Sequence, residues 1–222
     1  MNELAIITLA ERVDDLEQAR IATGNRVGAL ERTFGGSLPH LDAVLEQLQR
    51  VEDLAERELR QVWRSHPLAD WAKSVPGLGE ASIARLLAVI GDPAERRNPA
   101  RLWAYCGHGD PARSRLRKGA TQAEVLARGN PEAKKRVWLI ARQFVRTRNS
   151  PYRIVYEQAR EKYADRLHDA PCPRCGPRGR PAPVGSPWSA GHQHAAAIRL
   201  VGKVFLRDLW RQAHAVRVGD AR

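Results

Sequence analysis

Long apolar runs are missing from this 222-residue chain: no window holds the ~18 uninterrupted apolar residues that a membrane-spanning helix needs. The opening stretch, MNELAIITLAERVDD, reaches acidic residues too early for a secretory signal, so a cytoplasmic protein without membrane association is expected. Cysteine is scarce and odd in number, at three, which without an export signal argues against a disulfide framework and leaves metal ligation or plain burial. No segment alternates apolar and polar residues with the period of two that a half-buried strand requires. Basic residues are short at one end only. Residues 1–70 hold 8 Arg and Lys against 13 Asp and Glu, whereas residues 71–222 hold 29 against 12.

What is present suffices for a core, since 43% of the residues are hydrophobic and the length suits one or two domains. The formal net charge of +12 sits wholly in the second part. A basic domain of this kind is expected to face a polyanion, because each Lys or Arg that meets a phosphate releases condensed counterions. A generally adhesive surface is the plainer alternative.

Ile6, Leu9, Val13, Leu16, Val27, Leu30 and Phe34 keep three-and-four spacing, with Arg20 and Thr23 on the seam between them. The sequence GGSLPH at 35–40 breaks this helix, and Leu41, Val44, Leu48, Val51, Ala55, Leu59 and Val62 resume the period through Trp63. The spacing fits an antiparallel hairpin within one chain and equally a coiled coil forming a homodimer through residues 1–64. Shorter helices are expected at 68–74, 80–90, 99–105, 131–147, 151–167 and 192–215. Several of them start at or near a proline, whose missing N–H costs nothing there. The expected fold class is all-α: a long N-terminal antiparallel helical hairpin or coiled coil (1–66), a basic multi-helix domain (67–168), and a part (169–222) that pairs a Pro/Gly/Arg-rich loop with a closing helix.

Three motifs bear on chemistry. In SVPGLGEASIARLLAVIGDP, Pro76, Gly77, Leu78 and Gly79 spell the turn of a helix-hairpin-helix, whose glycines let backbone approach a phosphate and whose second helix offers N–H groups to it. Such contacts position a protein on a duplex without reading bases. Lys73 and Arg85 flank the turn as further DNA-contacting candidates, and a simple helix cap is the plainer account of the glycines. Cys172 and Cys175 form a Cys-Pro-Arg-Cys-Gly knuckle, and with His192 and His194 they would make a structural zinc site pinning the loop; an unmetallated loop is the alternative. Between these motifs, Arg113, Arg115, Arg117 and Lys118 crowd one loop. Lys134, Lys135, Arg136 and further arginines decorate the helix after Pro131, with Trp138, Leu139 and Phe144 available to bury its other side. Ser114, set among the arginines, is the one residue there resembling a nucleophile, with His108 and Asp110 as the nearest bases.

With HPLADWAKSVPGLGEASIARLLAVIGDP, NPARLWAYCGHGD and ARGNPEAKKRVWLIA in this order, residues 40–150 or so resemble the C-terminal half of bacterial insertion-sequence transposases of the IS-one-ten group. The resemblance implies a coiled-coil part followed by a helical transposase part with the Pro-Gly-x-Gly hairpin. It also implies an essential serine between the AYCG and RGN motifs. Ser114 falls approximately there, without the glycine that usually follows it. The family's acidic, metal-dependent RuvC-like domain has no counterpart in residues 1–70, whose acids sit on coiled-coil-like helices. A DNA-binding protein linked to transposition or recombination is therefore expected. The other readings are a recombinase or nuclease component using Ser114 with a separate acidic-site partner, and a scaffold binding structured RNA, which the family uses as a guide.

Overall fold

The computed structural model describes residues 2–109, 119–177 and 180–219. Among these residues the chain is all-α: α1 (Asn2–Phe34), α2 (Pro39–Trp63), α3 (Ala69–Ser74), α4 (Glu80–Ile90), α5 (Pro99–Tyr105), α6 (Gln122–Leu126), α7 (Pro131–Arg146), α8 (Pro151–Lys162) and α9 (Ala190–Gly219), with a 3-10 turn at Pro93–Glu95. Prolines occupy the first turns of α2, α5, α7 and α8, where no intrahelical N–H is lost. No described helix is long and apolar enough to cross a membrane. The helices pack as two compact units, one running to Asp70 together with Glu80–Gly91, the other comprising Trp71–Gly79 and the chain from Asp92 onward.

In the first unit α1 and α2 run antiparallel within one chain. Gly35, at φ +75, ends α1, and Arg20 reaches across to Glu52 with Nε–Oε2 2.5 Å and Nη2–Oε1 3.2 Å. The polar interruption in the seam is thus a paired charge. Ile6, Ala10 and Val13 of α1 and Leu59 and Trp63 of α2 are buried, and α4 packs on both helices through Ala81, Ile83, Ala84, Leu86, Leu87 and Ile90. Nearer the loop, the expected seam residues Leu30, Phe34, Val44 and Val51 are exposed. The reason is length. The 11 residues of α4 span about 16 Å, and the 33 of α1 about 50 Å, and two helices alone cannot bury both sides of a stripe.

The second unit is organised on α9, which packs against α5, α7, α8 and the 3-10 turn. Phe144, Tyr152 and Phe205 form its aromatic centre, with ring centroids 4.4, 5.4 and 5.9 Å apart, and Trp71 stacks on Phe205 at 6.4 Å. Two half-buried indoles donate to backbone: Trp103 Nε1 to the Lys203 carbonyl at 2.9 Å and Trp210 Nε1 to the Arg96 carbonyl at 2.8 Å. α8 stops short of the expected 167. After it, residues 166–168 pair with 186–188 in a short ribbon closed by the bridge between Leu167 and Pro187.

Candidate functional site

The turn of the Pro-Gly-Leu-Gly motif is closed by a hydrogen bond from the Leu78 N–H to the Val75 carbonyl at 3.1 Å. Pro76 takes the second position and Gly77, at φ +91, the third, as a type II turn requires. A Cβ on Gly77 would lie 2.7 Å from Thr147 Oγ1 and 3.3 Å from Phe144 Cδ1. Gly77 therefore has a packing reason of its own against the end of α7. Leu78 is buried, Pro76 half-buried, and Lys73 and Gly79 are exposed. Arg85 is committed elsewhere. Its side chain is 13% exposed and its guanidinium holds Asp14, with Nε–Oδ1 2.6 Å, and Glu17. The two acids hold its pKa up against the cost of burial. The guanidinium expected to meet phosphate thus faces acids of α1.

The AYCG and RGN motifs meet. The Asn130 side chain caps α7 by accepting from the N–H groups of Glu132 and Ala133 at 2.9 and 3.1 Å. Its own N–H donates to the Tyr105 carbonyl at 2.6 Å, and Nδ2 donates to the Tyr105 hydroxyl at 3.3 Å. Gly129, at φ +102, lies so close to α5's end that a Cβ would sit 2.5 Å from the Gly107 nitrogen and 2.6 Å from the Ala104 carbonyl oxygen. These contacts close the base of the segment from Gly109 to Arg128. Ser114, Arg113, Arg115, Arg117, Lys118 and Asp110 belong to that segment and lie outside the described residues.

Cations gather at this base. The Lys134 stem lies over Gly107, where a Cβ would come 2.9 Å from its Cδ. Arg199 Nη2 donates to the Gly109 carbonyl at 3.4 Å, and the Lys203 ammonium stands 5.1 Å from the centre of the Trp103 ring. The Lys134 pKa is pulled down, first by the protein packed around it and then by Arg199 and Arg174. His108 is buried with Nδ1 2.8 Å from the Cys106 carbonyl, so that nitrogen carries the proton. Burial lowers its pKa to about 4, and Arg199, Lys134 and Lys203 push the same way. It is a neutral, packed imidazole. Lys135 and Arg136, expected on the basic face, both pair with Glu132, at 3.4 and 2.8 Å, and Arg136 is buried. Trp138 and Leu139, expected to be buried, are exposed, with Arg142 lying 4.6 Å over the Trp138 ring.

Among the described residues a second group of ligand atoms converges. One donor atom each from His168, Cys172, Cys175 and His192 lie within 4.8 Å of one another. His192 Nδ1 is 3.7 Å from Cys172 Sγ and 3.3 Å from Cys175 Sγ. His194, expected as the fourth ligand, instead bonds the Tyr156 hydroxyl through Nδ1 at 2.7 Å. Two residues along a helix is about 200° of rotation, so its ring turns away from the cluster that His192 joins. His168 takes the place, brought there by the ribbon in which its N–H bonds the Ser186 carbonyl at 2.9 Å. Gly176 completes the knuckle, since a Cβ there would run into the Arg180 carbonyl.

The donor chemistry fits a metal ion. His168 is buried and its Nε2 has no hydrogen-bond partner, the condition of an imidazole whose lone pair is reserved for an ion. The His192 pKa is lowered, first by burial and then by His168, Arg174 and Arg166, which favours the neutral, ligating form. Burial pushes the Cys175 thiol up, but the Ser189 hydroxyl at 3.2 Å and backbone N–H at 3.4 Å bring it below its ordinary value. Trp188 stacks flat on His192 at 4.0 Å and fixes that ring. The spacing His-x3-Cys-x2-Cys at 168–175 would have flagged His168 in the sequence, and the seven-residue step from His192 to Arg199 would have flagged Arg199.

Comparison with curated proteins returned no match. Residues 69–157, from the start of α3 into α8, match the family model Transposase IS116/IS110/IS902 family.

Proposed function

We propose that the protein acts in transposition by holding duplex DNA on its second unit, at the base of the segment closed by Tyr105, Gly129 and Asn130. The observation that carries this reading is the gathering of Lys134, Arg199 and Lys203 around that base, in a chain whose family-matched part is a transposase domain. Like charges held together cost free energy that a phosphate backbone returns, with release of its counterions. The Pro-Gly-Leu-Gly turn and Lys73 would add backbone amides and charge of the same use.

The metal that suits two thiolates and two imidazoles is zinc, and with four protein ligands it would be structural, leaving no open position for a substrate. Its chemistry is that of a cross-link for residues 168–192.

Binding to a duplex, a four-way junction and a structured RNA over a salt series tests the DNA reading. The expected result is a steep dependence on salt, with Lys134→Ala and Arg199→Ala each making the slope of log K against log salt shallower by about one. Affinity for duplex that barely changes with salt, or a clear preference for the RNA, would refute it.

A further inference from the structure

The metal cluster and the cation cluster share one face of α9. His192 and Arg199 are seven residues apart, which returns the helix to the same side about 10 Å further along, and Lys203 follows one turn beyond. Arg174 sits within the Cys172–Cys175 turn, exposed, between two residues of the converging ligand set. The turn is held in place by the paired backbones of Cys172 and Ala182, with both N–H to carbonyl bonds at 2.8–2.9 Å. Lys134, on α7, lies over Gly107, two residues from the Gly109 carbonyl that Arg199 bonds, and Arg199 and Arg174 both act on its charge.

We propose that the metal-bound knuckle is a second phosphate-gripping arm, in which the ion holds Arg174 in line with Arg199, Lys134 and Lys203 so that one DNA backbone is contacted by all four. The inference rests on the DNA-holding reading. Two thiolates neutralise a divalent ion, so the loaded knuckle adds no charge of its own and Arg174 sets the sign of the ridge. Without the ion only the Cys172–Ala182 backbone pair holds the Pro/Gly-rich turn, and Arg174 is less firmly positioned.

The test uses the full chain, with metal content measured on every preparation. Arg174→Gln should keep one metal per chain, bind duplex about eightfold more weakly at 0.1 M salt, and show a slope shallower by about one, as removal of a single phosphate contact requires. Arg174→Lys should restore the slope. Chelation of the parent protein should weaken duplex binding at least as much, and chelated Arg174→Gln should lose little more. Parental affinity in Arg174→Gln, or loss of its metal, would overturn the inference while leaving the DNA-holding reading intact. A parent protein that fails to bind duplex in a salt-dependent way would sink the reading itself.

Discussion

Arg85→Gln separates a structural arginine from a DNA contact. In the folded chain Arg85 is 13% exposed and its partners Asp14 and Glu17 are 21% and 31% exposed. Breaking a fully buried pair costs about 3–5 kcal/mol and a surface pair about 0–1 kcal/mol. The two carboxylates can partly rehydrate, so the expected loss lies between these, at about 2 kcal/mol. Glutamine keeps much of the stem's packing, which makes the missing charge the main change. Followed by far-ultraviolet circular dichroism, the urea midpoint should fall by about 1 M with an unchanged m-value. Because the site is mostly shielded from solvent, added salt should not close the gap. Adding Asp14→Asn and Glu17→Gln to Arg85→Gln should recover part of the loss, since the carboxylates no longer repel one another. The salt slope of DNA binding should stay that of the parent. A variant as stable as the parent but with a shallower slope would show that Arg85 meets phosphate and that the ion pair with α1 does not form.

Gly129→Ala should cost about 3 kcal/mol or more, because φ +102 disfavours any side chain and the added Cβ meets backbone that cannot give way; amide exchange at Asn130 should accelerate, and protected exchange would contradict the closed base. His108 has a folded pKa of about 4, below its unfolded value, so its contribution is present above about pH 6.5 and is lost as pH falls. About 2 kcal/mol should disappear between pH 7 and pH 5, and His108→Gln should flatten that part of the stability profile measured by denaturant titration. His168→Ala should abolish stoichiometric metal binding, whereas His194→Ala should retain it. The reverse pattern in metal analysis would return the site to the His-x-His pair.

Helices, their starts and the break at GGSLPH were legible in the residues, because periodicity, proline at a first turn and a left-handed glycine are energies between near neighbours in the chain. The charge imbalance and the cysteine knuckle were legible for the same reason: both are local. By contrast, which helix α4 joins depends on whether its apolar face meets α1 and α2, and Arg85 follows that choice to Asp14 and Glu17. The seam at Val44 and Val51 keeps its period whether or not anything covers it, so sequence could not say that it is exposed. His168 enters the ligand cluster through a backbone ribbon to Ser186, and Arg199 and Lys134 come to the same Gly107–Gly109 turn only because α9 packs on α5 and α7. The sequence by itself determined the helical segments and the signs of charge along them. The tertiary structure decided which of those charges and ligands meet, since faces far apart in the chain are brought together only by the packing of the core.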